Sequence, residues 1–334
     1  MRIAVDAMGG DYAPREVVAG TVLAAELPNV SELILVGDET AIKAELALLG
    51  TVSPKIKIRH ASQSVDMGEA PALAVRRKKD SSIGRAVELV KLGEADAVMS
   101  AGNTGAAVAA STLKLRTLEG VDRPAIATVM PTQKSPVVLV DAGANLDCTP
   151  EQLVQFAMMG SVYSRVILGR EHPIVGLLSI GGEDSKGNEV TKRTFASLQK
   201  SSLNFRGNVE GRDIFEGDTD VVVCDGFVGN IVLKTTESTA TAVTSWLKRE
   251  LMANWLRKFA CLFLRGAFKS LKRQLDPESY GGAPLLGVNG VCIIAHGRSS
   301  RHAVYHAIRV AAESVSGHVN EGIIKGIASL GGTV

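Results

Sequence analysis

Apolar runs that end in small polar turns recur along this chain. In six places a Val-, Ile- or Leu-rich run stops abruptly at Gly, Asn, Asp or Ser: IAVDAMGGD (3–11), AVMSAGNTGA (97–106), VVLVDAGANLD (137–147), IVGLLSIGGEDSKGN (174–188), DVVVCDGFVGN (220–230) and VCIIAHGRSS (291–300). Buried parallel strands have this continuous apolar pattern, and the turns that follow them face the crevice where open α/β sheets bind ligands. Several such turns in one chain indicate a phosphate-bearing substrate, because glycine admits close backbone approach and helix N-termini favour anions.

Helix-like segments alternate with these runs, which predicts an α/β fold. We predict strands at 3–6, 33–36, 55–59, 97–100, 125–130, 137–140, 174–179, 221–224 and 291–295. We predict helices at 14–26, 41–49, 83–92, 104–114, 150–167, 190–200, 230–247 and 302–315. No linker is evident, so we expect one catalytic unit over 1–334, with its glycine turns gathered at one rim of the central sheet.

Composition narrows the possible partners and the location. The chain has 334 residues, 46% of them hydrophobic and only 4% aromatic, with a net charge of +2. Few aromatic residues and a small net charge argue against nucleic acid as a partner. The four cysteines form no Cys-x-x-Cys pair, and no apolar run approaches the length of a membrane-spanning helix. We expect reduced cysteines and a cytoplasmic protein.

Segment 246–273 differs from the rest of the chain. It holds both tryptophans and eight basic residues against one acidic residue. Apolar residues recur at three- and four-residue spacing, which predicts a basic amphipathic helical insertion, taken as 246–275, that lies in a membrane interface. The alternative is a dimer-packing helix with a solvated basic face. We predict these membrane-facing residues: Trp255, Leu256, Phe259, Leu262 and Phe263.

Glycine turns near the start of the chain supply candidate phosphate ligands. In 101–105, Asn103 or Thr104 can cap the next helix, and the free N–H groups there could hold an anion. An ordinary capped turn is the alternative. We predict phosphate or substrate binding by Gly9, Gly10, Asp11, Ser100, Gly102, Asn103 and Thr104.

The turn at 181–188 is the richest in chemistry. Two glycines, two acidic residues, a hydroxyl and a lysine follow a buried-looking strand. Lys186 could pair with phosphate or with a developing oxyanion, and the alternative is a solvated loop whose charges pair locally. We predict that Lys186 is catalytic and that Gly182 and Ser185 contact substrate.

Two further turns place an acidic residue and an asparagine beside glycines. Asn145 and Asn230 can hydrogen-bond phosphate without charge repulsion, whereas Asp141 and Asp225 are better suited to orient donors or hold turns. We predict that Asn230 is catalytic and that Asn145, Asp225 and Gly229 contact substrate.

The turn at 296–300 offers a histidine and two hydroxyls at a helix start. We predict His296 as an acid/base or a phosphate donor, with a satisfied turn histidine as the alternative. His302 and His306 have i, i+4 spacing but no third ligand, so no metal site is predicted. The dinucleotide fingerprint Gly-x-Gly-x-x-Gly is absent after the first strand, and the chain has no phosphate-loop motif.

Eight stretches together carry a family resemblance. They are AVDAMGGDYAP, GEAPALAVRRKKDSSI, MSAGNTGA, DAGANLDC, IGGEDSKGNE, NFRGNVEGRDIF, CDGFVGNIVLKTTE and YGGAPLLGVNGVCIIAHG, in order from about residue 1 to residue 330. This set resembles the bacterial acyl-ACP:phosphate acyltransferase family (PlsX-type). One departure is Arg298, which stands where the resemblance leads us to expect His-Gly-Ser-Ser.

The resemblance implies both a fold and a reaction. It implies a three-layer α/β/α fold like those of isopropylmalate dehydrogenase and phosphotransacetylase, a homodimer, no cofactor, and peripheral attachment to an anionic membrane. The implied reaction converts fatty acyl-carrier protein and inorganic phosphate to acyl phosphate and free carrier protein. Acyl phosphate then feeds a membrane glycerol-3-phosphate acyltransferase.

Three other functions stay open at this point. A short acyl-coenzyme A could replace the carrier-protein donor on the same fold. A nicotinamide-dependent decarboxylating dehydrogenase would need a metal-binding aspartate cluster, which the sequence does not assemble. A non-enzymatic protein could scaffold lipid enzymes at the membrane surface.

Overall fold

A single mixed sheet organises the protein. The computed structural model describes residues 1–50, 53–274 and 280–330. The strands are β1 (Arg2–Asp6), β2 (Glu32–Gly37), β3 (Ile56–His60), β4 (Ala97–Ser100), β5 (Ala125–Met130), β6 (Val137–Val140), β7 (Val175–Leu178), β8 (Phe205–Val209), β9 (Val221–Val223), β10 (Ala283–Leu286) and β11 (Val291–Ile294). Within the described ranges they form an 11-stranded sheet in the order β3-β2-β1-β4-β11-β10-β5-β6-β9-β7-β8.

Helices cover both faces of this sheet. They are α1 (Arg15–Ala24), α2 (Glu39–Leu48), α3 (Pro71–Arg77), α4 (Ser82–Lys91), α5 (Thr104–Leu115), α6 (Pro150–Leu168), α7 (Glu189–Lys200), α8 (Asp213–Glu216), α9 (Gly226–Leu251), α10 (Trp255–Phe263), α11 (Arg265–Gln274), α12 (Arg301–Ser316) and α13 (Val319–Leu330). On one face α1, α6, α12 and α13 enclose the largest apolar cluster. On the other, α3, α4 and α5 enclose a second cluster, so the fold is the three-layer α/β/α arrangement that the resemblance implies.

The sheet changes strand direction in its middle. Strands β1, β2, β3, β4 and β11 are parallel to one another, and so are β6, β7, β8 and β9. Three antiparallel pairings separate the two sets: β11 with β10, β10 with β5, and β5 with β6. The carboxyl ends of the two sets therefore point in opposite directions. The prediction that all glycine turns gather at one rim is wrong, since it assumed a uniformly parallel sheet.

Sequence patterns missed several elements. Strand β8 reads FRGNV, whose Arg, Gly and Asn disrupt the apolar run, and it lies at the edge of the sheet. Strand β10 contains Pro284 and follows two glycines with positive φ. Helices α3, α8 and α13 were also missed, and α9 begins at Gly226 rather than at the predicted residue 230.

The basic amphipathic segment is broken rather than continuous. It comprises the end of α9, then α10, then α11, with Asn254 capping α10 by accepting a hydrogen bond from the Arg257 N–H. The predicted helical insertion therefore consists of successive helices, because a capping asparagine interrupts a stretch that has helical periodicity on both sides. The last residue of the predicted insertion 246–275 and the side chain of Leu262 lie outside the described residues.

Candidate active site

The glycine turns form two groups. The N-terminal rim consists of turns 7–11, 101–104 and 296–300, which follow β1, β4 and β11. The C-terminal rim consists of turns 141–146, 179–188 and 225–230, which follow β6, β7 and β9. Within each group the strands are adjacent or nearly so, and this adjacency brings their turns together.

Glycines pack the N-terminal rim tightly. A Cβ atom at Gly9 would lie 2.7 Å from the Gly102 nitrogen, and Gly10 has a φ of +108°. The Asp11 N–H donates to the carbonyl of Gly297 at 2.7 Å, which joins the first turn to the last. The rim therefore requires glycine for close contact between turns.

The predicted polar side chains of this rim are already engaged. Ser100 Oγ donates to the Asp6 carboxylate at 2.7 Å and accepts from the Gly102 N–H at 3.1 Å. The Asn103 side chain accepts from the Ala106 N–H, and its amide group donates to the carbonyls of loop 66–69. Both side chains hold the rim together, so neither is available to grip a ligand in this conformation.

His296 is exposed and has a defined tautomer. Its Nδ1 accepts the Arg298 N–H at 3.1 Å, so neutral His296 carries its hydrogen on Nε2. Arg298 in turn lies 3.6 Å from Asp11 in an ion pair. The Nε2–H of His296 therefore takes no part in the hydrogen bond with the Arg298 backbone.

A buried carboxylate organises the C-terminal rim. Asp141 is fully buried and accepts hydrogen bonds from the backbone N–H groups of Ile126, Gly143, Ala144 and Asn145 and from the Asn145 side chain. Burial raises the pKa of this carboxyl above its ordinary value, and the hydrogen bonds oppose that rise. The sequence suggested an orienting role for Asp141, and this cage of donors fits it.

The same cage fixes the start of α9. Asp225 caps the helix by accepting the Val228 N–H at 2.8 Å, and the Gly226 N–H donates to the Asn145 carbonyl at 2.7 Å. A Cβ at Gly229 would lie 1.9 Å from the Asp141 carbonyl oxygen. Glycine at this position lets α9 approach the turn closely enough to hold Asn230 beside it.

The side chain of Asn145, predicted to contact substrate, is engaged by neighbouring groups of the protein. Its amide donates to the Pro124 carbonyl at 2.8 Å and to Asp141 at 2.9 Å, which uses both amide hydrogens. We therefore assign Asn145 to the framework of the turn. Asn230, by contrast, is exposed, and no hydrogen bond among the described residues engages its side chain.

Lys186 lies on the third turn of this rim. Its ammonium is 3.9 Å from the Glu183 carboxylate, and both side chains are well exposed, so the pair is loose. The Glu183 carbonyl accepts the Lys186 N–H at 3.0 Å and the Asn208 side-chain amide at 2.8 Å. Asn208 thus anchors the turn that carries Lys186, a role that the sequence did not reveal because its strand was missed.

Two buried polar atoms lie beneath this turn without partners among the described residues. They are Ser179 Oγ and Asn208 Oδ1. Ser179 Oγ would lie 3.1 Å from a Cβ at Gly187, whose φ is +107°. Buried unsatisfied groups of this kind are uncommon and concentrate where a water or ligand completes the structure.

The two rims border one apolar cluster. Val75 of α3 and Val108 of α5 pack on the same cluster as Ala144 and Leu233, which flank the C-terminal rim. The face of the sheet that carries α3 and α5 therefore also carries residues that flank the C-terminal rim.

The two cysteines near the C-terminal rim are unsuited to act as nucleophiles. Burial raises the pKa of Cys148 to about 11 and raises that of Cys224 well above its ordinary value. Both thiols are protonated near neutral pH and are poor nucleophiles. In the described ranges, no group of three or more His, Cys, Asp or Glu side chains is arranged to hold a metal ion.

The amphipathic segment presents apolar side chains to solvent. On α10, Trp255, Leu256, Phe259 and Phe263 are exposed by 72%, 60%, 58% and 79%. None of the helices that the structure describes has both the length and the apolar character needed to cross a bilayer.

Comparison with known proteins identifies the family. Residues 1–322 match the family model described as "Fatty acid synthesis protein". A phosphate acyltransferase of Pelotomaculum thermopropionicum is 52% identical over 330 residues, covering 99% of this chain and 96% of the relative. A phosphate acyltransferase of Desulfitobacterium hafniense is 54% identical over 323 residues, covering 96% of each chain. The chain belongs to the phosphate acyltransferase family.

Solved structures agree with the fold of this phosphate acyltransferase family member. A phosphotransacetylase from Streptococcus pyogenes has a TM-score of 0.62 at 19% identity and covers 95% of this chain and 94% of its own. A branched-chain phosphotransacylase from Enterococcus faecalis has a TM-score of 0.58 at 15% identity, covering 94% of this chain and 99% of its own. The phosphotransacetylase-like α/β/α fold implied by the resemblance is confirmed.

Proposed function

We propose that the enzyme transfers a fatty acyl group from acyl-carrier protein to inorganic phosphate, which yields acyl phosphate for phospholipid synthesis. The observation that carries this proposal is the set of exposed, lightly engaged polar groups on the C-terminal rim. Lys186 has only a loose partner, and in the described part of the chain no hydrogen bond engages the side chains of Ser185 or Asn230. One cation with neutral donors suits an inorganic dianion.

The chemistry needs little beyond binding and charge stabilisation. Inorganic phosphate, like a phosphate monoester with a second pKa of about 6, is largely dianionic near neutral pH and is its own nucleophile. A phosphate oxygen attacks the thioester carbonyl carbon, the C–S bond breaks, and the phosphate proton ends on the departing thiol, whose pKa is about 8.5. The protein's task is to hold both reactants and stabilise the oxyanion.

Roles follow from the positions of the side chains. Lys186 and Asn230 are proposed as the catalytic pair that contacts phosphate and the oxyanion, with Gly182, Ser185 and Gly229 beside them. Asp225 and Asn145 hold the backbone on which these groups lie. His296 is proposed to act on the donor side, at the N-terminal rim. The other predicted ligands of that rim shape the backbone around it: Gly9, Gly10, Asp11, Ser100, Gly102, Asn103 and Thr104.

A trapping assay tests the reaction. The protein is incubated with acyl-carrier protein and phosphate, and hydroxylamine converts acyl phosphate to acyl hydroxamate. We expect hydroxamate that depends on phosphate and protein, and a preference for the long-chain carrier-protein donor over short acyl-coenzyme A. Hydroxamate no higher than in a protein-free control would refute the proposal, and preference for the short donor would favour a phosphotransacetylase-like activity.

The exposed face of α10 supports peripheral attachment to the cytoplasmic side of an anionic membrane. Basic residues near an anionic leaflet contribute about 1 kcal/mol each, so attachment should be reversible and sensitive to salt. We expect Leu256→Glu with Phe259→Glu to abolish sedimentation with anionic vesicles while sparing catalysis in solution. Leu48→Glu with Leu92→Glu is the matched control, since both leucines are exposed, one as the last residue of α2 and the other as the C-cap of α4. Normal vesicle binding by the first variant would exclude α10 as the anchor.

The long helix α9 supports the homodimer. Of its 26 residues only Gly226 and Gly229 are buried, while Ile231, Val243 and Trp246 are 48%, 51% and 57% exposed. A second copy that packs on this face would cover these side chains. Analytical ultracentrifugation should give a dimer that Val243→Glu weakens, and a monomer in the unaltered protein would refute this assembly. Delivery of product to a membrane glycerol-3-phosphate acyltransferase is the further partner we propose.

A further inference from the structure

The surface around α3 is a second feature that the reaction alone does not explain. This basic surface consists of Met67, Leu73, Arg76, Arg77, Lys79 and Arg298. Leu73 and Met67 are 49% and 46% exposed, and the Arg298 side chain is 77% exposed. Exposed cations interleaved with exposed apolar side chains are typical of a protein-docking surface.

The cations of this surface are available to a partner. Among the residues that the structure describes, Arg76, Arg77 and Lys79 take part in no ion pair, whereas their neighbour Lys78 pairs with Glu69. Arg298 forms an ion pair with Asp11 at 3.6 Å, and the described ranges show no other ion pair for it. Three free cations on one short stretch favour association with an acidic macromolecule.

Contacts join the basic surface to the N-terminal rim. The Met67 side chain lies against Gly297, where a Cβ would be 2.7 Å from the Met67 Cε atom. Asn103, the cap of α5, donates to the carbonyl of Met67 at 3.0 Å. Loop 66–69 thus lies between α3 and the turn that carries His296 and Arg298.

The basic surface shares a face of the sheet with residues that flank the C-terminal rim. Helices α3 and α5 cover the sheet face whose apolar cluster includes Ala144 and Leu233 beside that rim. A partner docked on α3 therefore lies on the same face of the sheet as Ala144 and Leu233, which flank that rim.

We propose that this basic surface docks the acidic carrier protein that delivers the acyl thioester. The inference rests on the proposed function, because only a carrier-protein donor requires such a dock. Charge complementarity selects this occupant, since carrier proteins are acidic and the surface presents unpaired cations around an apolar centre. The carrier protein is then held beside the N-terminal rim, while its acyl thioester meets phosphate at the C-terminal rim.

Charge reversal tests the dock. Arg76→Glu with Arg77→Glu should raise KM for acyl-carrier protein at least about 10-fold and leave KM for phosphate unchanged, because rim charges govern encounter. Raising the salt concentration should raise KM of the unaltered enzyme and narrow its difference from the variant. Lys91→Glu with Lys200→Glu is the matched control, because both lysines are exposed in the last turn of a helix, as Arg76 and Arg77 are.

The outcomes separate this inference from the proposed function. An unchanged KM for acyl-carrier protein would overturn the dock, and so would an equal loss of activity with a carrier-free acyl-pantetheine donor. An increase in that KM produced instead by Arg257→Glu with Lys258→Glu on α10 would move the dock to the amphipathic segment and overturn it as well. Failure of the unaltered enzyme to form acyl hydroxamate would count against the reaction itself. Arg76→Gln with Arg77→Gln, which removes charge without reversing it, should show a smaller increase and guards against misfolding.

Discussion

The two rims of this enzyme contain similar residues but use them differently. At the N-terminal rim, the side chains of Ser100 and Asn103 form hydrogen bonds with Asp6, with Gly102 and with loop 66–69. At the C-terminal rim, the structural bonds come from Asp141 and Asn145, while Lys186 and Asn230 stay exposed. The contrast shows that the residues of a glycine-rich turn do not by themselves reveal whether its polar side chains are exposed or are engaged in hydrogen bonds that hold the turn.

The largest expected effect tests whether phosphate is held at the C-terminal rim. Lys186→Met should lower kcat/KM for phosphate by roughly 100-fold or more, because it removes the cation that is proposed to contact phosphate and the oxyanion. Steady-state kinetics by hydroxamate formation measures this, with Lys192→Met as a control for an exposed lysine on the adjacent helix. Equal activity of the two variants would contradict the proposal that phosphate is held at the C-terminal rim and not at the N-terminal rim.

The next effect tests what holds the C-terminal rim. Asp141→Asn should lower the free energy of unfolding by about 2–3 kcal/mol, because an amide NH₂ would face N–H donors that now meet a carboxylate. Activity should fall with it, since α9 and Asn230 rest on this turn. Urea denaturation measures the loss, and the exposed Asp147→Asn is the control. Unaltered stability would show that the donor cage contributes little.

A smaller effect tests the support of the N-terminal rim. Arg301, the first residue of α12, binds the Glu16 carboxylate through its backbone N–H and its guanidinium, which lowers the pKa of Glu16 to about 2. The stabilisation is present above the ordinary pKa of 4.5 and is lost as pH falls towards 2. Glu16→Gln should cost about 1.5 kcal/mol at neutral pH and little in acid. A cost independent of pH would contradict the ion pair.

The smallest expected effect concerns Asp6, a buried aspartate beside the N-terminal rim. Burial raises the pKa of Asp6, so the folded state binds this proton more tightly than the unfolded chain. That stabilisation is complete below the ordinary pKa of 3.8 and is lost as pH rises through the raised value. Asp6→Asn should therefore gain stability relative to the unaltered protein as pH rises through the raised pKa of Asp6. Thermal unfolding across pH measures it, and an opposite trend would indicate that Asp6 is held as an anion.

Sequence patterns predicted the strands that are continuous and apolar, such as β1, β4 and β6, because burial on both faces leaves an unmistakable run. They missed β8 and β10, whose Arg, Gly and Pro residues are tolerated at an edge and next to a hairpin. Because the sequence pattern did not predict β8, it did not reveal the role of Asn208, which anchors the turn that carries Lys186. Local pattern therefore located Lys186 but not the residue that positions it.

The sequence by itself determined the α/β class, the positions of the glycine turns and the chemistry they can support, because burial periodicity and turn residues are local properties. Only the tertiary structure decided that these turns form two rims, since strand direction depends on which segments pair across the sheet. It also decided which polar side chains are free, because a hydrogen bond between residues distant in sequence leaves no mark on either local pattern.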